Sequence, residues 1–155
     1  STAGLMTAEG ADSYGGNVAY TADTYGLSVT YAMVEDASGV DDTYTALNAY
    51  WTPEGFPSIS AGYEWGDDGS AAAASDELTS YFVGIETEVG PGTAGAALGT
   101  KTPTVEGSSE LLMYEAFYSY PVNDGMTITP LVYIKEFATG TTDNTGVMVK
   151  TSFSF

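Results

Sequence analysis

From Asn17 to the C-terminus, apolar and polar side chains exchange places at every second residue, in runs rich in Tyr, Val, Ile, Thr and Phe separated by Gly, Pro, Asp and Asn clusters. A period of two sends successive side chains to opposite faces of a strand, so the pattern restricts the chain to sheet structure. The expectation is an all-β chain of nine strands: Gly16–Thr21, Leu27–Val34, Tyr44–Thr52, Ser58–Trp65, Leu78–Thr87, Thr93–Gly99, Leu111–Tyr120, Met126–Glu136 and Gly146–Phe155. The only helix-like interruption, Ser70–Glu77 (SAAAASDE), reads as a loop connection. Pro130 falls inside the eighth strand, where it cannot donate to a ladder, and a bulge or local distortion is expected there.

The connections between these strands alternate in length. Short turns are read at Ala22–Gly26, Pro53–Pro57, Glu88–Gly92 and Pro121–Gly125, and longer polar loops at Glu35–Thr43, Gly66–Glu77, Thr100–Glu110 and Ala138–Thr145. Outer-membrane barrels alternate in this way, with short periplasmic turns and long extracellular loops, whereas a β-sandwich would do so only by coincidence. No apolar run of about 18 residues is present, which excludes a membrane-spanning helix and leaves a β-barrel open. The chain opens on STAGLMTAEG, without a basic or apolar leader, and reads as a mature chain or as one that starts inside a larger protein.

Charge narrows the function. Lys and Arg total 3 against 21 Asp and Glu, for a net charge of -18. No Arg is present, and the only cations are Lys101, Lys135 and Lys150, which excludes a nucleic-acid surface. With no His and no Cys, the usual general base, the common zinc and haem ligands and the thiol nucleophile are all missing. The acids Glu35, Asp36, Asp41, Asp42, Asp67, Asp68, Asp76, Glu77, Glu106, Glu110 and Asp143 fall in the four longer loops, and Glu9 and Asp12 precede the first strand. One rim of the sheet is therefore expected to be strongly negative.

Alternation also sorts each strand into two faces. In the last strand Val147, Val149, Thr151, Phe153 and Phe155 oppose Met148, Lys150, Ser152 and Ser154, and in the fourth Ile59, Ala61, Tyr63 and Trp65 oppose Ser60, Gly62 and Glu64. Tyr81, Val83 and Ile85 likewise oppose Ser80, Phe82, Gly84 and Glu86, and Glu115 opposes Tyr114 and Ala116. Charges keep to the polar side, as a lipid-facing sheet and a half-buried soluble sheet both require. Aromatic residues gather at strand ends, with Trp51, Phe56, Tyr118, Tyr120, Phe153 and Phe155 toward the short turns and Tyr44, Tyr63, Trp65, Tyr81 and Tyr114 toward the long loops. Such clustering suits the two membrane–water interfaces.

The last strand, GVMVKTSFSF, resembles the terminal strand of Gram-negative outer-membrane barrels, a segment read by the barrel-assembly machinery, which makes Phe153 and Phe155 the expected assembly signal. The runs NVAYTADTYGLSVTYA, TALNAYWTPEGFPSISAGYEWG, YFVGIE, TITPLVYI and VKTSFSF resemble the C-terminal half of the major cyanobacterial porins, also described as carbohydrate-selective or iron-uptake porins; the stretch Ala49–Tyr63 is the most specific. The resemblance implies an antiparallel, up-and-down transmembrane β-barrel of around sixteen strands, of which residues 14–155 supply the C-terminal part and 1–13 the tail of an extracellular loop. An odd strand count implies either further strands upstream or several copies combined into one sheet. It also implies an outer-membrane location, lipid contact, carbohydrate or ion transport and a homotrimer. The chain departs from porin constrictions in having no Arg.

On this reading Asn48, Glu64, Glu86, Glu115, Lys135 and Lys150 are the pore-lining candidates, with no catalytic residue, metal or cofactor. The expected function is passive diffusion of small hydrophilic solutes and inorganic cations. Glu64 and Glu86, on neighbouring strands and one face, could instead mimic a glycosidase carboxylate pair. A second class of reading is a soluble acidic all-β surface protein, such as an adhesin, S-layer or filament subunit, whose charge serves solubility.

Overall fold

The computed structural model describes residues 12–35, 39–69, 77–101, 111–137 and 143–154. Nine strands follow in chain order: β1 Ser13–Thr21, β2 Tyr25–Glu35, β3 Asp41–Trp51, β4 Ser58–Asp68, β5 Glu77–Val89, β6 Gly92–Lys101, β7 Leu111–Asn123, β8 Met126–Lys135 and β9 Asn144–Phe153. Each pairs antiparallel with its neighbours in sequence, giving one up-and-down sheet in the order β1 to β9. The sheet is not closed, and β1 and β9 form its edges.

Several strands run further than side-chain patterning indicates. Glu35 pairs with Asp41, Asp42 with Asp68, and Asp67 with Glu77, so acids expected in loops belong to strand ends. Ladder bonds use backbone groups alone, which lets pairing continue through residues whose side chains read as loop. As a result the β2–β3 connection leaves five residues and the β3–β4 connection six, and the short–long alternation fails at that pair. β1 begins at Ser13, within the segment expected to be loop tail; residues 1–11 of that segment, and residues 70–76 of the helix-like run, lie outside the described residues.

At two loop-side ends a glutamate closes the ladder. Glu35 donates its N–H to the Asp12 carbonyl at 2.8 Å, while its carboxylate accepts the Asp12 N–H at 3.1 Å. Glu136 does the same with Leu112, at 2.9 and 3.2 Å.

At Pro130 the ladder shows the local distortion expected there, but not a bulge. Phe117 pairs with Leu131 and Tyr120 with Ile128, so the register is the same on both sides, and pairing lapses only between them. The β8–β9 ladder passes Pro130 unbroken, opposite Val149. The missing N–H is thus felt on the β7 side, where the Ser119 and Thr129 hydroxyls span the gap at 3.1 Å. The register shift lies instead at Pro121–Asn123, where β7 continues past the expected end at Tyr120.

Turn chemistry sets the hairpins. Val89 pairs with Gly92, leaving Gly90 and Pro91 as a two-residue turn, and Gly90 has φ 60°. A glycine with positive φ at the first central position matches the twist of the flanking strands. Asp124 and Gly125 form the β7–β8 turn, in which Gly125 donates its N–H to the Asn123 side-chain oxygen at 2.9 Å.

Among the described residues no hydrophobic side chain is buried. The accessible area is 10666 Å², whereas a globular monomer of 16.1 kDa exposes about 7,400 Å². Among the described residues there is one layer of sheet and no second layer against either face, which leaves both faces accessible.

Replacing Gly90 by Ala forces a Cβ into positive φ, and the urea midpoint of the folded protein should fall by the equivalent of about 1–2 kcal/mol. An unchanged midpoint would mean that the turn relaxes.

Candidate functional site

Residues paired across an antiparallel ladder lie on the same face, so the register sorts the whole sheet. One face carries Val18 and Tyr20 (β1), Leu27 and Val29 (β2), Leu47 and Ala49 (β3), Ile59 and Ala61 (β4), and Val83 and Ile85 (β5). It continues through Ala96 and Leu98 (β6), Ala116 (β7), Val132 and Ile134 (β8), and Val147 and Val149 (β9). Within the nine strands its only charged positions are Glu35, Asp41, Asp67 and Glu77, all at the loop end. The band between is apolar over about nine residues of strand, from Tyr25 to Met33 in β2 and from Met126 to Ile134 in β8. A tilted strand needs roughly 9–11 residues to cross a bilayer.

Aromatic side chains bound this band on both sides. Tyr14 and Tyr31 lie 6.2 Å apart, and Tyr63 and Trp65 6.0 Å apart, toward the loop end, with Tyr81 and Tyr114 at the same side. Toward the turns, Tyr20 and Tyr25 lie 6.0 Å apart and Tyr118 and Tyr120 6.5 Å apart, with Trp51 and Phe153. Phe153 stands opposite Met126 and is 61% exposed; Phe155 lies outside the described residues. Two members of the expected clusters keep their ends of the sheet but do not lie on this face. Tyr44 pairs with Gly66 on the other face, and Phe56 sits in the β3–β4 turn.

The opposite face holds all six candidate positions. Asn48 stands opposite Gly62, Glu64 opposite Ala46 and Ser80, and Glu86 opposite Ser58 and Gly95. Glu115 stands opposite Ala97 and Tyr133, Lys135 opposite Met113, and Lys150 opposite Thr129. Hydroxyl and amide groups fill the spaces between them, with Asn17 donating to the Thr30 hydroxyl at 2.7 Å and to the Val29 carbonyl at 3.2 Å. The register separates Glu64 from Glu86. The residue facing Glu86 on β4 is Ser58, six positions from Glu64, or about 20 Å along the strand. A glycosidase pair requires roughly 5–9.5 Å, and these two carboxylates do not form one.

Two features of this face are absent from the sequence reading. β5 continues to Val89, which places Glu88 on the polar face, where it accepts a hydrogen bond from the Thr93 hydroxyl at 3.0 Å. The second is a set of rings laid over glycines. Tyr50 faces Gly26, Tyr44 faces Gly66, Phe82 faces Gly62, Phe117 faces Gly95 and Tyr133 faces Gly146. At each of these glycines a Cβ would collide with the opposing ring. Each ring therefore lies against the backbone of the next strand, covering it as a side chain of that strand would. The signal was present as aromatics and glycines at polar-face positions, but only the register shows that they coincide.

The polar surface is thus hydroxyl-, amide- and carboxylate-lined, with flat aromatic faces at intervals. Among the described residues no group of three or more acids is placed to hold a metal ion. Comparison with protein-family models, with curated proteins and with solved structures finds no match.

Gly95→Val must displace the Phe117 ring, and unfolding should become easier by about 1–3 kcal/mol. Gly16, on the apolar face, has open space around it, and Gly16→Val should leave the urea midpoint unchanged. Equal effects at the two positions would show that the ring-over-glycine contacts do not support the sheet.

Proposed function

We propose that this sheet forms part of the wall of an outer-membrane β-barrel pore, which passes small hydrophilic solutes and inorganic cations by passive diffusion and prefers cations. One observation carries the proposal: a nine-strand apolar face, bounded above and below by aromatic side chains, has no charged position in its central band and, among the described residues, no protein layer over it. In water such a face would be a very large exposed apolar patch. Against lipid it is the required surface, with aromatic girdles at the two interfaces. A soluble surface protein with this sheet would need a second layer to cover it.

The other face then lines water. Its hydroxyl and amide groups exchange hydrogen bonds with a passing solute, while Glu64, Glu86, Glu88 and Glu115 outnumber Lys135 and Lys150 and set a negative potential. No step requires a catalytic residue or a cofactor. Lipid does not satisfy an open ladder, so the edges β1 and β9 are paired in the membrane by further strands. The porin resemblance supplies the rest of the proposal: a homotrimer in the outer membrane of a cyanobacterial-type cell, assembled by machinery that reads the terminal strand.

Because the chain has no Cys, single cysteines report each face separately. In lipid, Ser60→Cys and Ala97→Cys should react with a charged maleimide, while their neighbours Ala61→Cys and Ala96→Cys should react only with a lipid-soluble one. Equal labelling of adjacent residues by the charged reagent would place water on both faces and end the membrane reading. Val132→Lys, at mid-band, should cost about 2–4 kcal/mol of folded stability in lipid.

Selectivity is read separately, as the reversal potential of the full-length protein across a bilayer under a salt gradient. Cation preference should be clear at low salt and fade toward molar salt, as the Debye length shrinks from about 8 Å to about 3 Å. Joint Gln substitution of Glu64, Glu86 and Glu115 should reduce it. An anion-selective channel would overturn the electrostatic argument.

A further inference from the structure

The polar face is not evenly filled. From Thr93 to Gly99 β6 presents only small side chains there, Ala97 and Gly99 among them, while the flanking strands present Phe82 from β5 and Met113 and Glu115 from β7. The mismatch in size leaves a hollow of about 380 Å³ with those residues as walls and Tyr133 and Lys135 of β8 at its far side. That volume falls among small-molecule sites, which are mostly apolar with a few placed polar groups.

Register fixes the arrangement of those groups. Phe82, Gly99, Met113 and Lys135 form one row across four strands, and Ala97, Glu115 and Tyr133 form part of the adjacent one. The two charges do not neutralise each other. The Lys135 ammonium lies 6.0 Å from the Phe137 ring centroid, beyond the loop-side end of β8, which draws it away from the row holding Glu115. Glu115 is exposed, and among the described residues no hydrogen bond or ion pair engages its carboxylate.

We infer that this hollow is a binding subsite for an organic ammonium ion with an apolar body. A bare metal ion would exchange its hydration shell for a single carboxylate and find no second or third acid. An anion would meet Glu115 and the field of a chain with net charge -18. With the Lys135 ammonium turned toward Phe137, an organic ammonium ion suits the remaining walls: its charge pairs with Glu115 beside Tyr133, and its apolar body lies on Phe82, Met113 and the floor of β6. The inference rests on the proposal that this face is open to water, and it adds a class of solute held there on its way through.

The test uses benzyltrimethylammonium as the cation and benzyl alcohol as its neutral counterpart, titrated calorimetrically into the full-length protein folded in detergent. Saturable binding of the cation alone is expected, weakened at least fivefold by Glu115→Gln, which keeps the side-chain shape, and by Ala97→Leu, which fills the floor. Binding that Glu115→Gln leaves unchanged, equal binding of the alcohol, or no binding would each overturn the inference. Should Ala97→Leu not fold, as seen by heat-modifiable gel migration, the Glu115→Gln comparison decides alone. Bilayer recordings in potassium chloride separate the two proposals. Binding without any conductance removes the pore and keeps the subsite, whereas conductance without binding removes the subsite and keeps the pore.

Discussion

The antiparallel ladder pairs each strand with its neighbours from β1 to β9, but among the described residues nothing covers the side chains that the ladder arrays on its apolar face. In a globular domain the hydrophobic effect holds two layers together. Here the layer is single, and the stability of the sheet depends on what medium or neighbour lies against Leu27, Ile85, Val132 and their ladder partners. The two faces, the aromatic borders and the confinement of strand charges to the polar face and the loop end follow from that constraint. So does the sharp difference between a lysine placed at Val132 and one placed two strands away at Ala97.

The polar face answers a different requirement. Under the proposed function this face lies open to water and must remain rigid without a core behind it, and the five ring-over-glycine contacts join adjacent strands across it. Each joins two strands at a directly opposed pair, the position where cross-strand side-chain contacts are closest. Where the contact is missing, as between Ala97 and Glu115, the surface opens into a hollow.

Much of the fold was legible in the sequence. Nine strands, their order and the two faces of each could be read because alternation with period two is imposed by strand geometry itself. The ends were harder, since Glu35, Asp41, Asp42 and Asp67 look like loop residues, and the ladder that includes them is made by groups common to all residues. Pro121 was read as turn for the same reason, and Glu88 was lost to a turn that occupies only two residues. The register between strands was not legible. The distance from Glu64 to Glu86, the place of Tyr44 and the coincidence of rings with glycines depend on register, which one residue of slip would invert.

The ring-over-glycine pairs also have a consequence for how such a chain changes over time. Gly26 and Tyr50, Gly62 and Phe82, and Gly95 and Phe117 each behave as one unit split between two strands. A larger residue at the glycine evicts the ring, and a smaller residue at the ring uncovers the glycine backbone. Either substitution is tolerated best when its partner changes with it. Drift at these positions is therefore coupled over some twenty residues of chain, a constraint written in pairs that no local stretch of sequence contains.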